Sequence, residues 1–129
     1  MLAIDTNILV RLVIDDDPRQ ATAARALLEE HQVLVASTVL LEAEWVFRSA
    51  YGLGPAEALG SLKAICGLPA VILAEPDRVA AALAWASEGM DFADALHLAG
   101  SEGCDQFVTF DRKLARTAAA VGTPPVRIL

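Results

Sequence analysis

Four acidic residues attract attention because each lies near the end of a predicted β-strand or in a helix next to one. Asp5 directly follows the first apolar run, and Asp111 directly follows the fourth. Glu42 lies about one turn into the helix predicted after the second strand, and Asp94 lies in the first turn of the helix that precedes the fourth. Ligands of open α/β sheets bind outside the carboxyl ends of the strands. We therefore expect these four carboxylates to meet at one edge of a sheet.

Such a cluster requires a positive charge or bound protons. Two like charges 4 Å apart repel by roughly 4 kcal/mol at an effective dielectric of 20, and no Lys or Arg is adjacent in sequence to Asp5, Glu42 or Asp94. Carboxylate, hydroxyl and amide oxygens are ligands that suit Mg²⁺ or Mn²⁺ and suit zinc poorly. The sequence therefore predicts a divalent cation site of the magnesium type.

Helix capping is the alternative explanation for the aspartates. Asp5 and Asp111 each precede a predicted helix, and Asp91 with Asp94 resembles a capping box that has acids in both places. Both explanations stay open for each of these residues, and capping is favoured for Asp91. Capping does not account for Glu42.

Glu42 is predicted to lie on the apolar face of its helix, together with Val39, Ala43 and Val46, from a period of 3.6 residues. Its neighbour Glu44 is instead predicted to form a solvent-exposed ion pair with the arginine four residues on. An acid on the buried side of a helix is the one that needs a functional explanation.

Short apolar runs alternate with helical stretches along the chain, which predicts a parallel sheet covered by helices. The first run is predicted to be a buried strand. No internal repeat or domain boundary is evident, so we expect residues 1–129 to form one domain. The predicted strands span residues 2–4, 32–37, 70–73, 106–110 and 126–129, and the predicted helices span residues 7–14, 18–31, 38–51, 56–67, 76–88, 92–102 and 112–121.

The composition limits the class of protein. Hydrophobic residues make up 55% of the chain, which favours a folded globule. An ordinary nucleic-acid binder shows a basic face, whereas this chain has a net charge of −7, so a polyanion would need a source of attraction other than bulk charge. The apolar start lacks the features of a signal peptide or membrane span, and Cys66 and Cys104 lack paired spacing. We therefore expect a cytoplasmic protein with no membrane contact, in which both cysteines are buried thiols.

The stretches around the four acids resemble a known family. They read AIDTNILV at the start, LLEAEWVF around Glu42, DFADALHLA around Asp94 and FVTFDRKLA around Asp111. Together, in this order and spacing, they are similar to the PIN domain, in particular to the VapC-type toxins of bacterial toxin and antitoxin pairs.

The resemblance implies a PIN-like three-layer α/β/α fold with a central, mostly parallel five-stranded sheet. It also implies a ribonuclease that uses Mg²⁺ or Mn²⁺, in which Asp5, Glu42, Asp94 and Asp111 are both the metal ligands and the catalytic residues. The implied partners are an RNA substrate, a second copy of the chain in a homodimer, and a small VapB-type antitoxin that covers the acidic site. Hydrolysis by a metal-activated water would leave a 5′-phosphate and a 3′-hydroxyl.

Several other residues are weaker candidates. Asn7 and Thr109 are placed to orient carboxylates or water, although a strand-to-helix turn and a strand also explain them. Arg112, Lys113 and Arg116 form a basic cluster after Asp111, which either contacts RNA phosphates or is a solvated helix face.

Three aromatic or imidazole side chains are assigned structural roles. His97 is expected to pack or to form hydrogen bonds rather than to bind metal, although it lies near Asp94. Trp45 and Trp85 are expected either in the core or at a dimer interface.

Two other functions remain open from the sequence. A receiver domain also binds Mg²⁺ at strand ends, but it needs a phosphorylatable Asp after the third strand and a Lys after the fifth. Here Ala74 and Glu75 follow the third strand, and Leu129 ends the fifth. The other alternative is a non-catalytic acidic module that binds a basic partner, with the acids serving only as helix caps.

Overall fold

The computed structural model describes residues 1–129 and contains five strands and seven α-helices. All the predicted elements are present, and the largest difference is at the sixth helix, which ends at Ala99 rather than near residue 102. In chain order the elements are β1 (Leu2–Ala3), α1 (Thr6–Val13), α2 (Pro18–Glu30), β2 (Val33–Val35), α3 (Ser37–Ser49), α4 (Pro55–Cys66), β3 (Val71–Leu73), α5 (Pro76–Ser87), α6 (Phe92–Ala99), β4 (Phe107–Thr109), α7 (Arg112–Val121) and β5 (Val126–Ile128).

All the strand pairs are parallel, which confirms a helix-rich α/β fold built on parallel strands. β1, β2 and β3 form a three-stranded sheet in that order, with Leu34 paired to Ala3 on one side and to Ile72 on the other. β4 and β5 form a two-stranded sheet, in which Val108 pairs with Arg127. The hydrogen-bonded ladders are therefore divided between two sheets, where the sequence predicted one sheet of five strands. Each ladder is only two or three residues long.

The chain forms two compact units, an N-terminal unit of residues Met1–Pro76 and a C-terminal unit of residues Asp77–Leu129. In the N-terminal unit α1 packs against α2, α3 and α4. Its core is made of aliphatic side chains around one aromatic ring, and the largest fully buried members are Phe47, Leu9, Leu40, Leu62, Val33 and Val35. β1 is an edge strand, and its Leu2 is 41% exposed. The prediction that the first strand is buried was therefore wrong for Leu2 and holds only for Ile4.

The C-terminal unit has a smaller core, to which α5, α6 and α7 each contribute buried side chains. Its buried apolar residues include Val79, Phe92, Leu98 and Leu114. α7 packs against β5 and ends at Gly122, which has a left-handed φ of 77° that only glycine adopts at little cost. None of the seven helices combines the length and hydropathy that a membrane span requires.

Helix capping follows the sequence closely. Asp17 caps α2 by accepting a hydrogen bond from the Gln20 N–H at 3.1 Å, and Pro18 occupies the first helical position. This confirms the predicted start of α2.

The burial of the two glutamates of α3 is the reverse of what the sequence predicted. Glu44 is only 5% exposed, whereas Glu42 is exposed, so the assignment of Glu42 to the buried face was wrong. The buried residues of α3 are Leu40, Ala43, Glu44 and Phe47, a stripe with helical spacing. The error arose because apolar residues occur almost all the way around α3, so that their pattern does not define one face.

The ion pair between Glu44 and Arg48 is present, as predicted, but it is not solvent-exposed. Arg48 donates from Nε to Oε1 at 2.7 Å and from Nη2 to Oε2 at 3.0 Å. This two-point geometry satisfies both oxygens of a carboxylate that the core removes from water. The Arg48 guanidinium therefore offsets the cost of burying the Glu44 carboxylate.

Substitution Arg48→Met should destabilise the chain by about 2–3 kcal/mol, because it leaves the buried Glu44 carboxylate without its arginine partner. Adding Glu44→Leu to Arg48→Met should recover part of that loss, since a buried ion pair is replaceable by apolar side chains. Urea denaturation measures both effects. The exposed Arg19→Met on α2 is the control, with an expected change within about 0.5 kcal/mol. A double variant no more stable than Arg48→Met would contradict this account.

Candidate functional site

Asp5 lies at the carboxyl edge of the three-stranded sheet. The Leu2 N–H donates to the Gln32 carbonyl at 3.0 Å and the Ile4 N–H donates to the Leu34 carbonyl at 3.2 Å, so β1 runs alongside β2 to its end. The exposed Asp5 then caps α1, and its Oδ1 accepts a hydrogen bond from the Ile8 N–H at 3.2 Å. The predicted capping role is confirmed, and so is the position after the first strand.

Glu42 is the sixth residue of α3, which begins at Ser37 directly beyond the carboxyl end of β2. It lies on the exposed face of the helix, in line with Thr38, Trp45 and Ser49. Because α1 and α3 both start from the carboxyl ends of paired strands, Asp5 and the first turn of α3 lie at the same edge of this sheet. Unlike Asp5, Glu42 caps no helix, so its carboxylate is not needed to start one.

In the C-terminal unit two aspartates cap the two helices that flank β4. Asp91 caps α6, and its Oδ1 accepts from the Asp94 N–H at 3.1 Å. Asp111 caps α7, and its Oδ1 accepts from the Leu114 N–H at 3.0 Å. The predicted capping roles of Asp91 and Asp111 are thus confirmed.

Asp94 is the acid whose surroundings are least favourable to a negative charge. Burial raises the pKa of its carboxyl, and the negative charges of Asp91 and Asp111 raise this pKa further. The nearby His97 and Lys113 lower the same pKa, but their effect is smaller. Asp94, Asp91 and Asp111 therefore share one electrostatic environment with an excess of negative charge.

Capping and metal binding do not exclude each other in these aspartates. Each capping bond engages one carboxylate oxygen, Oδ1, of Asp5, Asp91 or Asp111. A carboxylate has two oxygens and about four lone-pair sites, so Oδ2 can still bind a cation. The cap also fixes the side-chain rotamer, which prepares the second oxygen for a ligand.

The weaker candidates are placed as follows. The Thr109 Oγ1 accepts a hydrogen bond from the Asp111 N–H at 3.0 Å, so Thr109 holds the backbone at the start of α7. Asn7 is exposed on α1. The basic residues Arg112, Lys113 and Arg116 are exposed on α7, and His97 is exposed on α6.

The four predicted ligands are divided between the two units, with Asp5 and Glu42 in the N-terminal unit and Asp94 and Asp111 in the C-terminal unit. No group of three or more His, Cys, Asp or Glu side chains is arranged to hold a metal ion. The meeting of all four carboxylates in one site stays a prediction.

Sequence analysis missed one polar contact at the carboxyl edge of the three-stranded sheet. The Ser37 hydroxyl donates to Oε1 of Glu75 at 2.8 Å, and each of these residues lies two positions after the end of its strand, Ser37 after β2 and Glu75 after β3. From the sequence, Glu75 counts only as evidence against a receiver domain, which needs an aspartate after the third strand. Its position after a strand was the available signal.

Two cavities lie away from the candidate acids. One, of about 630 Å³, is an apolar groove in the N-terminal unit lined by residues that include Leu12, Leu28, Ala64 and Leu68. The other, of about 280 Å³, lies in the C-terminal unit beside Trp85. None of the predicted metal ligands lines either cavity.

The surroundings of Asp94 predict how stability depends on pH in the absence of metal. The folded-state pKa of Asp94 lies above the unfolded value of about 3.9, so the folded chain binds this proton more tightly. Stability therefore falls as the pH rises from the unfolded to the folded pKa, and the full penalty persists above the folded pKa. Asp94→Asn should remove the penalty and stabilise the chain by about 0.5 kcal/mol at pH 7.

Urea denaturation with chelator at neutral and acidic pH measures this gain, which should shrink at acidic pH. The matched control is Asp105→Asn, an exposed acid in the loop before β4, which should change stability little at either pH. A loss of stability in Asp94→Asn at pH 7 would show that its charge is not unfavourable.

Comparison with known proteins gives one result. No curated protein matches the chain. The family model of the PIN domain matches residues 2–120, which include nearly all of the N-terminal unit, most of the C-terminal unit and all four predicted ligands. The match covers most of the chain, and this protein belongs to the PIN domain family.

Proposed function

We propose that this chain is a divalent-cation-dependent endoribonuclease and the toxin component of a VapC-type pair. PIN domains are generally metal-dependent nucleases, and PIN nucleases generally bind RNA. The observation that carries the proposal within the chain is the environment of Asp94, where burial and two neighbouring carboxylates disfavour its charge. A bound cation would reverse that penalty.

The proposed ligands are Asp5, Glu42, Asp94 and Asp111, and their donor atoms fit the cation. All four provide carboxylate oxygens, the hard donors that Mg²⁺ and Mn²⁺ prefer. Membership of the PIN family over residues 2–120 supports treating the two units as one functional domain, so that all four acids serve one site.

In the proposed reaction the cation, when bound, supplies Lewis-acid activation of water and neutralises charge on the phosphate. The residues of the chain position these groups. The capping bonds fix Asp5 and Asp111, while Thr109 holds the backbone of Asp111. Asn7 supplies an amide for orienting water, and Arg112, Lys113 and Arg116 contact RNA phosphates from the exposed face of α7.

A cytoplasmic location is part of the proposal. Cys66 and Cys104 are both free thiols, which suits a reducing compartment. The expectation that both thiols are buried was wrong, because Cys104 is exposed and Cys66 is only partly buried. Burial raises the pKa of the Cys66 thiol, which keeps it protonated and unreactive.

RNA cleavage with and without chelator tests the activity. The wild-type chain should cleave single-stranded RNA in Mg²⁺ or Mn²⁺, leave a 5′-phosphate and lose activity in chelator. Asp94→Asn should lower kcat by at least about 100-fold, because a metal ligand is lost. Mn²⁺ should also raise the Tm of the wild type more than that of Asp94→Asn.

The control for this experiment is again Asp105→Asn, which removes an exposed carboxylate of the same unit and should retain activity. Cleavage that survives chelation, or a 2′,3′-cyclic phosphate product, would exclude the proposed metal-dependent hydrolysis.

The proposed protein partners are a VapB-type antitoxin and a second copy of the chain. The apolar groove between α1, α2 and α4 supports the antitoxin, since an apolar groove between helices is suited to bind the apolar face of a partner segment. Arg25 and Glu29 line it together with the apolar residues and would orient a polar side of the partner segment. We propose that one apolar segment of the antitoxin lies in this groove and that another part of the antitoxin covers the acidic site.

Substitution Ala64→Asp tests the groove, because it would place a charge against the apolar segment of the antitoxin. It should weaken binding of the antitoxin encoded next to this gene by at least about 10-fold, measured by calorimetry. Ala56→Asp is the matched control, since Ala56 is exposed on the same helix but does not line the groove. Equal affinity of the two variants would place the antitoxin elsewhere.

A further inference from the structure

Trp45 is a large aromatic side chain that α3 presents to solvent. It is 60% exposed, so it does not belong to the core, which was one of its two expected locations. Tryptophan is highly buried on average, and an exposed one on a regular helix calls for a ligand.

The face of α3 around Trp45 is polar. The exposed residues of α3 are Thr38, Glu42, Trp45 and Ser49. They are spaced four, three and four residues apart, so they form a single stripe along the helix. The core of a protein interface is a patch that is depleted of charged residues and more apolar than its rim. A single aromatic ring within a polar stripe does not provide one, but it does provide the flat surface on which one nucleobase stacks.

Trp45 is also next to a proposed metal ligand. It follows Glu42 by three residues, so the two side chains are neighbours on one helix face, with about 5–6 Å between their Cβ atoms. A nucleotide whose phosphate lies at the Glu42 carboxylate therefore has a base, its own or that of the next nucleotide, within reach of the indole ring.

The charge of the chain favours stacking as a source of RNA affinity. With a net charge of −7, the protein gains little from releasing the counterions of a polyanion. Stacking on an aromatic ring needs no positive charge, and every base has a face that can stack. Stacking also requires an unpaired base, which selects single-stranded RNA over a duplex.

We propose that Trp45 stacks against an unpaired nucleobase beside the phosphate that the metal site cleaves, and so selects single-stranded RNA. This inference rests on the proposed ribonuclease function and adds a substrate-binding residue to it. Trp45 binds the base and takes no part in the chemistry, so its removal should affect KM more than kcat.

Steady-state cleavage of a short single-stranded RNA provides the first test. Trp45→Leu keeps an apolar side chain but removes the ring, and it should raise KM by roughly 5- to 100-fold with kcat changed less than about threefold. Trp45→Phe keeps a smaller ring and should recover most of the affinity. The matched control is Trp85→Phe, which changes the other tryptophan of the chain and should leave KM unchanged.

A binding test without cleavage uses the Trp85→Phe protein in chelator, where Trp45 is the only tryptophan. Single-stranded RNA should quench its fluorescence, and a duplex of the same sequence should quench it much less. An RNA that lacks the base at the stacking position should bind the Trp45-containing protein more weakly. The Trp45→Leu protein should bind this RNA no more weakly than it binds the intact RNA.

The outcomes separate the two proposals. If the wild-type chain cleaves RNA and Trp45→Leu leaves KM unchanged, the stacking inference is wrong and the ribonuclease function stands. If Trp45→Leu converts a dimer to a monomer in sedimentation while RNA affinity is retained, Trp45 is a protein contact and the inference is overturned. If the wild type cleaves no RNA, the proposed function fails, and quenching in chelator still decides whether Trp45 binds RNA.

Discussion

Repulsion among the like charges of three aspartates is the main electrostatic constraint on the C-terminal unit. Asp91 and Asp111 begin two helices, and Asp94 lies among their charges in a partly buried position. The positive ends of the α6 and α7 dipoles offset part of this repulsion, as does Lys113. The offset is incomplete, because the pKa of Asp94 remains raised. The fold therefore keeps an excess of negative charge around Asp94.

Helix capping explains how an unfavourable cluster is held in place. Asp91 and Asp111 each stabilise a helix start by about 1 kcal/mol, a typical value for a capping side chain, and this offsets part of the cost of placing acids around Asp94. The same bonds fix the carboxylates before any ligand arrives, which lowers the entropy cost of binding. Glu42 has no such bond and retains its rotamer freedom. Structure and proposed function thus use different oxygens of the same side chains.

Local signals in the sequence predicted the elements and caps, since strands, helices and N-caps depend on neighbouring residues. They did not predict which glutamate of α3 is buried, because the tertiary contacts of Phe47 and Leu40 decide that. They also missed the cluster in which Arg11 donates to Asp16 at 2.9 Å and to the Tyr51 hydroxyl at 2.9 Å, since Tyr51 is 40 positions away along the chain. For the candidate site, the sequence identified each acid and its place beside a strand. The meeting of the acids depends on long-range geometry that no local pattern encodes.

On the proposed function, this acidic chain must bind RNA, which is itself a polyanion. Without a cation, the carboxylates of Asp94 and Asp111 repel an RNA phosphate, and the basic cluster on α7 opposes that repulsion only locally. A bound divalent cation removes the repulsion, so on the proposed function RNA and cation each raise the affinity of the chain for the other by the same factor. Stacking on Trp45 lies outside this coupling, because it depends on an aromatic face and not on charge. The chain would then hold a base before the metal site is loaded, but bring the phosphate to the carboxylates only afterwards.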